Sequence, residues 1–374
     1  LSLVGSEMCI RDRCNKMNET TRQLIVHKVK HNTKRLITSI KWVIFSIVVG
    51  IVAGSCGTAF YFALSVVTDF RMKYPWLIYF LPIGGLAIVG LYHLCKDDND
   101  TGTNLVISAI HSGDKVPFIM APLIFVSTLI THLFGGSAGR EGAALQMGGS
   151  IGSSIGRVFR FDEKDKHVMI MCGMSAAFSA LFGTPMAAAI FSMEMISVGV
   201  MYYIALVPCV ISSLIAHGIA SYFNVTNEFF AIENIPDFTI LNSVKISALA
   251  ILCALVSILF CVALHSGEAL YKKYLPNKYT RVFIGGCFVI IATMLVGNQT
   301  YNGTGMSVIQ SSIDGSVRPE AFLLKIIFTA LILLIFRIGN AIPVPYVDTG
   351  LLNDYIKQLS TTCLLYTSDA ADEL

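Results

Sequence analysis

The stretch THLFGGSAGREGAALQMGGSIG, residues 131–152, decides the fold because it sets two charges inside an apolar, glycine-rich sequence. The two charges are Arg140 and Glu141, which follow an apolar run and precede a run of small residues. A charge at the centre of a bilayer costs roughly 2.5–3.5 kcal/mol on insertion scales, so such a residue usually has a function. The glycines allow the backbone to turn sharply before a new helix. We therefore predict a functional helix start at Glu141.

The start of a helix can hold an anion without a full positive charge, because its unpaired N–H groups and its dipole favour negative charge. A fixed lysine would hold the ion too tightly for release, whereas partial charges permit both binding and release. When ionised, the carboxylate of Glu141 can fill such a site, and when protonated it can leave the site to an anion. This reasoning predicts that Glu141 is both gate and proton carrier. In the alternative interpretation, Glu141 only pairs with a neighbour and stabilises the loop.

The composition places the rest of the chain in a membrane. Of its 374 residues, 54% are hydrophobic and 14% are charged. Disorder is excluded because it needs low hydrophobicity and high charge, and apolar runs near twenty residues argue against a soluble enzyme. The net charge of +3 is too small and diffuse for binding nucleic acid. The ten cysteines form no C-x-x-C pair, which argues against a disulfide framework and a zinc site, so we expect no metal and no cofactor.

Long apolar runs alternate along the chain with shorter segments interrupted by glycine and proline. The long runs cover residues 42–68, 77–95, 201–223 and 244–270, residues 116–134 are also apolar, and the short segments cover 102–110, 167–181 and 185–198. Basic residues precede the first long run and follow the last, which predicts a cytoplasmic amino end and opposite orientations for these two helices. Opposite orientation and broken helices are typical of transporters built from inverted repeats. The fold class we predict is an all-α polytopic membrane protein of inverted-repeat architecture.

A competing pattern lies on the same residues. The sequence GGSAG at 135–139 matches G-x-S-x-G, the nucleophile elbow of hydrolases, which requires a preceding strand and an aqueous oxyanion hole. An intramembrane serine hydrolase, with Ser137 as nucleophile and His132 or His217 as base, is therefore a remote alternative. We interpret both histidines as packing residues because they lack the spacing of metal ligands. A membrane scaffold without a pore is a further alternative.

Three motifs, in this order, resemble the CLC superfamily of chloride channels and anion/proton antiporters. GREG at 139–142 is similar to the family's G-(K/R)-E-G-P signature, and GTPMAAAIFSME at 183–194 is similar to the segment that follows it. GTNL at 102–105 stands where the family has G-S-G-I-P, and its G-x-N-L form looks most like the bacterial fluoride/proton-exchanging branch. The resemblance covers residues 42–331.

The resemblance implies the CLC fold, a homodimer with a pore in each subunit, in the inner membrane of a bacterium. It implies transport of chloride or fluoride, by exchange for protons or, alternatively, by passive conduction, and it implies no enzymatic activity. The partners would be halide anions, protons and the lipid bilayer. Gating and proton transfer would fall to Glu141. The residues implied in anion binding are Gly102, Thr103, Asn104, Gly139, Arg140 and Gly142.

The sequence also departs from the family pattern. Ala143 replaces the signature proline, and Met195 stands where many exchangers carry a second, inner glutamate, so protons would need another route to Glu141. The family's second-half signature is not recognisable after residue 334. We therefore divide the chain into a non-native lead, a basic cytoplasmic segment, a first membrane half, a partial inverted half and an aberrant tail. These parts cover residues 1–16, 17–41, 42–223, 242–334 and 335–374.

Overall fold

The fold is that of a computed structural model of the chain. The structure describes residues 2–95, 116–194, 202–226, 239–275, 277–303, 305–313, 320–321 and 323–328. Within these ranges the ordered elements are all helical. The predicted anion-binding residues Gly102, Thr103 and Asn104 lie outside the described residues, as do Met195 and the tail at 335–374.

The described part of the chain is a succession of helices and short 3-10 turns. In chain order they are α1 Ser2–Lys73, a 3-10 turn Pro75–Phe80, α2 Leu81–Leu94, α3 Met120–Leu133, α4 Glu141–Val158, α5 Glu163–Phe182, α6 Pro185–Glu194, a 3-10 turn Tyr203–Ala205, α7 Leu206–Tyr222, α8 Ile240–Tyr274, α9 Lys278–Val296 and α10 Met306–Ile313. Residues 323–328 are also helical. The run predicted at 77–95 therefore divides into a 3-10 turn and α2, each of which has a proline in its first turn, where no N–H is needed.

Five described segments are long and apolar enough to cross a membrane. They are Ile37–Lys73, Pro75–Leu94, Tyr203–Tyr222, Ile240–Phe260 and Lys278–Val296. A crossing needs about 20 predominantly apolar residues, which the shorter apolar helix α3 does not reach. The predicted all-α polytopic fold is confirmed.

Helices α4 and α5 cross so closely that their backbones leave no space for a side chain at the point of contact. A Cβ atom on Gly173 would stand 2.1 Å from the carbonyl oxygen of Gly148, and one on Gly152 would stand 2.2 Å from that of Met169. Only glycine permits such an approach, and small residues at the contact are what lets helices associate in a membrane. Gly152 and Gly173 therefore permit the close packing of these two helices.

Helix α7 joins this pair to α1. A Cβ on Gly54 would lie 2.7 Å from the Cα of Ala216, so α1 and α7 also meet through small residues. The hydroxyl of Ser179 on α5 donates to the carbonyl of Ser213 on α7 at 2.8 Å. Helices α1, α4, α5 and α7 thus form one packed block, and the loop before α4 is anchored to it.

Candidate functional site

The loop between α3 and α4 folds back onto the end of α3. Gly135 has a φ of +78°, in the left-handed region that glycine enters without strain. The N–H of Gly136 then donates to the carbonyl of Thr131 at 2.8 Å, and the carbonyl of Gly136 accepts from the N–H of Gly303 at 3.2 Å. The glycines predicted to turn the chain do turn it, and a segment more than 160 residues away holds the turn in place.

Helix α4 begins at Glu141, as the sequence predicts, with Arg140 as its N-cap residue. No side chain caps this helix, and the carbonyl of Arg140 accepts the N–H of Ala144 at 3.1 Å. In most helices a Ser, Thr, Asp or Asn side chain satisfies part of the first turn. Among the described helices, α2, α3, α5 and α7 also lack a side-chain cap, so what α4 offers an anion is a first turn whose N–H groups are left to other acceptors.

Arg140 and Glu141 point into different surroundings. Arg140 is buried, and its guanidinium carbon lies 5.1 Å from the centroid of the Phe182 ring. Glu141 is exposed, and its carboxylate folds back over Gly139, where a Cβ atom would stand 2.7 Å from Oε2. Gly142, the second residue of α4, is buried. A side chain at position 139 would therefore displace the carboxylate of Glu141.

A lysine from far along the chain reaches the same loop. The ammonium of Lys325 donates to the hydroxyl of Ser137 at 2.7 Å and to the carbonyls of Gly303 and Tyr301 at 2.7 Å and 3.1 Å. These three acceptors match the three donors of a protonated ammonium. Lys325 therefore ties the loop before α4 to the turn at residues 301–303. Sequence reasoning missed it, although a lone lysine in an apolar run is the signal that could have identified it.

The contact with Lys325 bears on the hydrolase alternative. A lysine can activate a serine only as a neutral base, whereas Lys325 donates to all three of its partners. The residues before the loop form helix α3 rather than the strand that a nucleophile elbow requires. The contact of Ser137 with Lys325 is therefore that of a structural hydroxyl.

A group of buried basic side chains surrounds this loop. His132 is almost wholly buried, and the charges of Arg71, Arg140 and Lys325 all act on it. Arg71, in the last turn of α1, is also buried, and its guanidinium lies against Gly303. Sequence reasoning missed Arg71 because it reads as an ordinary basic residue at the end of a span. Among the described residues, no three His, Cys, Asp or Glu side chains converge as metal ligands.

Comparisons with known proteins agree on one kind of relative. Residues 84–344 match the sequence profile of the family described as voltage gated chloride channel. A chloride/fluoride channel protein of Pseudomonas syringae is 34% identical over 84% of this chain and 71% of its own length. An H(+)/Cl(-) exchange transporter of Vibrio cholerae is 27% identical over 83% of this chain and 71% of its own length.

Solved structures give the same answer for the fold. A CLC-type fluoride/proton antiporter superposes with a TM-score of 0.75 at 30% identity, over 82% of this chain and 81% of that one. A slow cyanobacterial Cl-/H+ antiporter superposes with a TM-score of 0.66 at 17% identity, over 87% of this chain and 81% of that one. The second likeness is one of fold.

Proposed function

The chain belongs to the voltage gated chloride channel family, and from this premise we propose that it exchanges a halide anion for protons across a membrane. The resemblance to the CLC superfamily and its fluoride-type branch, predicted from three motifs, is confirmed. The relatives at 34% and 30% identity are named for chloride/fluoride transport and fluoride/proton antiport. These names support a halide as the transported anion and a proton as its counterpart.

We propose that Glu141 is the gate and the proton carrier. The observation that carries this proposal is its place as the first residue of α4, directly after the glycine turn that begins at Gly135. Ionised, its carboxylate competes with an anion for the partial positive charge of about half an elementary charge at the helix start. When protonated, the neutral carboxyl no longer competes with the anion, and it moves away from the helix start with its proton. Its exposure and its position over Gly139 leave it room to move.

The anion would be held by the turn on which α4 begins. Gly139 supports this assignment because a side chain there would crowd the carboxylate of Glu141, and Gly142 is buried in the first turn of α4. Arg140 adds a buried positive charge to the same turn. Gly102, Thr103 and Asn104 remain predicted ligands from the resemblance alone.

The transporter would act as a homodimer in the inner membrane of a bacterium. The relatives from Pseudomonas syringae and Vibrio cholerae support a bacterial setting, whereas the homodimer and the inner membrane rest on the resemblance. The five candidate spans support an integral, multi-pass protein. The alternative to exchange is a passive chloride channel. The name of the Pseudomonas syringae relative, which contains the word channel, is consistent with this alternative.

Exchange and passive conduction differ in whether an anion gradient drives protons. We expect liposomes loaded with potassium fluoride, diluted into a weakly buffered fluoride-free medium with the voltage clamped by valinomycin, to take up protons as fluoride leaves. The external pH should rise, and fluoride should move at least as fast as chloride. Protein-free liposomes give the background leak of HF.

Two results would contradict this proposal. Anion efflux without proton uptake would identify a passive channel. Chloride efflux with fluoride excluded would remove the protein from fluoride exchange. Labelling of Ser137 by a fluorophosphonate, lost in Ser137→Ala, would instead favour the hydrolase.

A further inference from the structure

Arg71 carries a charge that the described structure leaves unbalanced. Its side chain is only 7% exposed, and the buried Nε and Nη1 atoms have no hydrogen-bond partner in the part of the chain that the structure describes. A buried charge is normally paired, because removing it from water is costly. Among the described residues no carboxylate pairs with Arg71, and its Nη2 reaches only the sulfur of Met72 at 3.9 Å.

The neighbours of Arg71 add positive charge instead of removing it. The charges of Arg71 and Lys325 act on each other, and both act on the buried His132. The three N–H groups of Lys325 donate to Ser137, Tyr301 and Gly303. Lys325 therefore contributes positive charge to the surroundings but no free N–H. Arg71 therefore has donors to offer, with two of its buried nitrogens unpaired among the described residues, and Lys325 strengthens the local positive potential.

Glycines make the room in which the guanidinium lies. A Cβ atom on Gly303 would stand 2.9 Å from Nη1 and 3.0 Å from Nη2, and one on Gly135 would stand 3.6 Å from Cδ. Both glycines have φ in the left-handed region, at +71° and +78°. The turn at 301–303 and the loop before α4 thus close around Arg71 without a side chain of their own.

We infer that Arg71 is the principal ligand of a second anion site, in addition to the one proposed at the start of α4. The occupant would be a single small inorganic anion of the halide class, bound by the unpartnered Nε–H and Nη1–H groups. Charge-assisted hydrogen bonds from a guanidinium are among the strongest available to an anion. A bound halide would also relieve the repulsion between Arg71 and Lys325.

This inference names a further site for the halide of the proposed function and rests on that function for its role in transport. Binding itself can be tested without transport. An anion held beside the loop that carries Glu141 would raise the local concentration of anions near the helix start. The site would then act as a waiting position for the next ion.

The test is a titration of the purified protein with sodium fluoride. Binding is measured by isothermal titration calorimetry and, separately, by the ¹⁵N–¹H resonance of the Arg71 Nε group. We expect the resonance to shift and saturate, and Arg71→Gln to remove one bound fluoride per chain. Gly303→Ala keeps every charge but pushes the guanidinium aside, and should weaken this binding at least tenfold. Lys73→Gln, on the same turn of α1 but exposed, is the matched control and should bind as the wild type does.

Several outcomes separate the possibilities. An Arg71 resonance that ignores fluoride, or full binding by both Arg71→Gln and Gly303→Ala, overturns the site. Saturation by glycerol phosphate but not by fluoride also overturns it, since the occupant would then be a lipid headgroup. If Arg71→Gln does not fold, the wild-type resonance and Gly303→Ala decide the question. Saturation with fluoride in a protein that moves no protons refutes the exchange and leaves the site standing.

Discussion

Helices α5 and α8 are both embedded in the membrane portion of this chain, yet they are built in opposite ways. Almost every residue of α5 from Val168 to Leu181 is buried, and many of these are serine, alanine or glycine. The span Ile240–Phe260 of α8 is the most apolar of the five candidate spans, and none of it is buried. Lipid is as apolar as leucine, so hydrophobicity does not draw helices together in a bilayer, whereas close packing of small residues does.

The difference shows where a site can be placed. Precise positioning of Glu141 needs a rigid support, and α4 has one because it lies against α5 at glycine contacts. Helix α8 supplies apolar length without such contacts. High hydropathy in α8 therefore goes with a surface that faces lipid or another subunit, whereas the small residues of α5 go with the packed interior.

The strongest test of this contrast is to add one methyl group at the crossing of α4 and α5. In Gly173→Ala the new Cβ would meet the carbonyl oxygen of Gly148 at 2.1 Å, so the two helices must separate. Overpacking costs about 1–3 kcal/mol where side chains can adjust, and backbone cannot adjust so easily. We expect little or no monodisperse protein by size-exclusion chromatography.

The matched control is Gly218→Ala on α7, where the added Cβ meets nothing within 4 Å. It should elute like the wild type. Normal yield of Gly173→Ala would show that the two helices are not held as close as described.

The second test compares two leucines, one in each region. Leu145 on α4 is 1% exposed and Leu255 on α8 is 58% exposed. Leu145→Ala leaves a cavity and should cost about 2–5 kcal/mol, whereas Leu255→Ala should stay within about 0.5 kcal/mol. Unfolding midpoints in detergent measure both. Equal losses would mean that α8 is covered, for instance by a second subunit.

The smallest effect is expected at the exposed end of α5. Lys166 donates to Glu163 at 2.8 Å, and this hydrogen bond holds the pKa of the Glu163 carboxyl below its usual value. A carboxyl whose pKa is lowered by folding contributes stability at pH values above its pKa in the unfolded chain. That stability is lost as the pH falls through its pKa in the folded protein. Because Glu163 is exposed, solvent screens this contribution.

We therefore expect Glu163→Gln to leave the midpoint of thermal unfolding unchanged at pH 7 and to lose no further stability at acid pH relative to the wild type. Thermal scans over a pH series check this. A drop comparable to that of Leu145→Ala would show that the end of α5 is part of the packed interior.

Much of this architecture follows from local sequence patterns. The predicted apolar runs indicate four of the five candidate spans in the described residues, all but Lys278–Val296. The glycines before Glu141 indicate the turn and the new helix, because both signals lie within one helical length. The break between the 3-10 turn and α2 is less predictable, since the run at 77–95 is apolar throughout. Prolines at Pro75 and Pro82 are its local signals.

The basic group around the loop could not be assembled from sequence. Arg71 and Lys325 are single charges separated by most of the chain, and only the fold brings them to Gly303. In the sequence, Arg71 looks like an ordinary basic residue at the end of a span, and Lys325 is a single lysine in an apolar run. Their meaning comes from a tertiary contact, for which periodicity and composition carry no signal.

The central claim is that Glu141, held at the start of α4, carries the proton. The direct measurement is the external pH of a weakly buffered suspension of liposomes containing Glu141→Gln, while an outward fluoride gradient drives transport. We predict that proton uptake disappears, since a permanently neutral side chain can neither carry a proton nor respond to pH, whereas Glu163→Gln keeps it. Proton uptake against its gradient by Glu141→Gln would contradict the account.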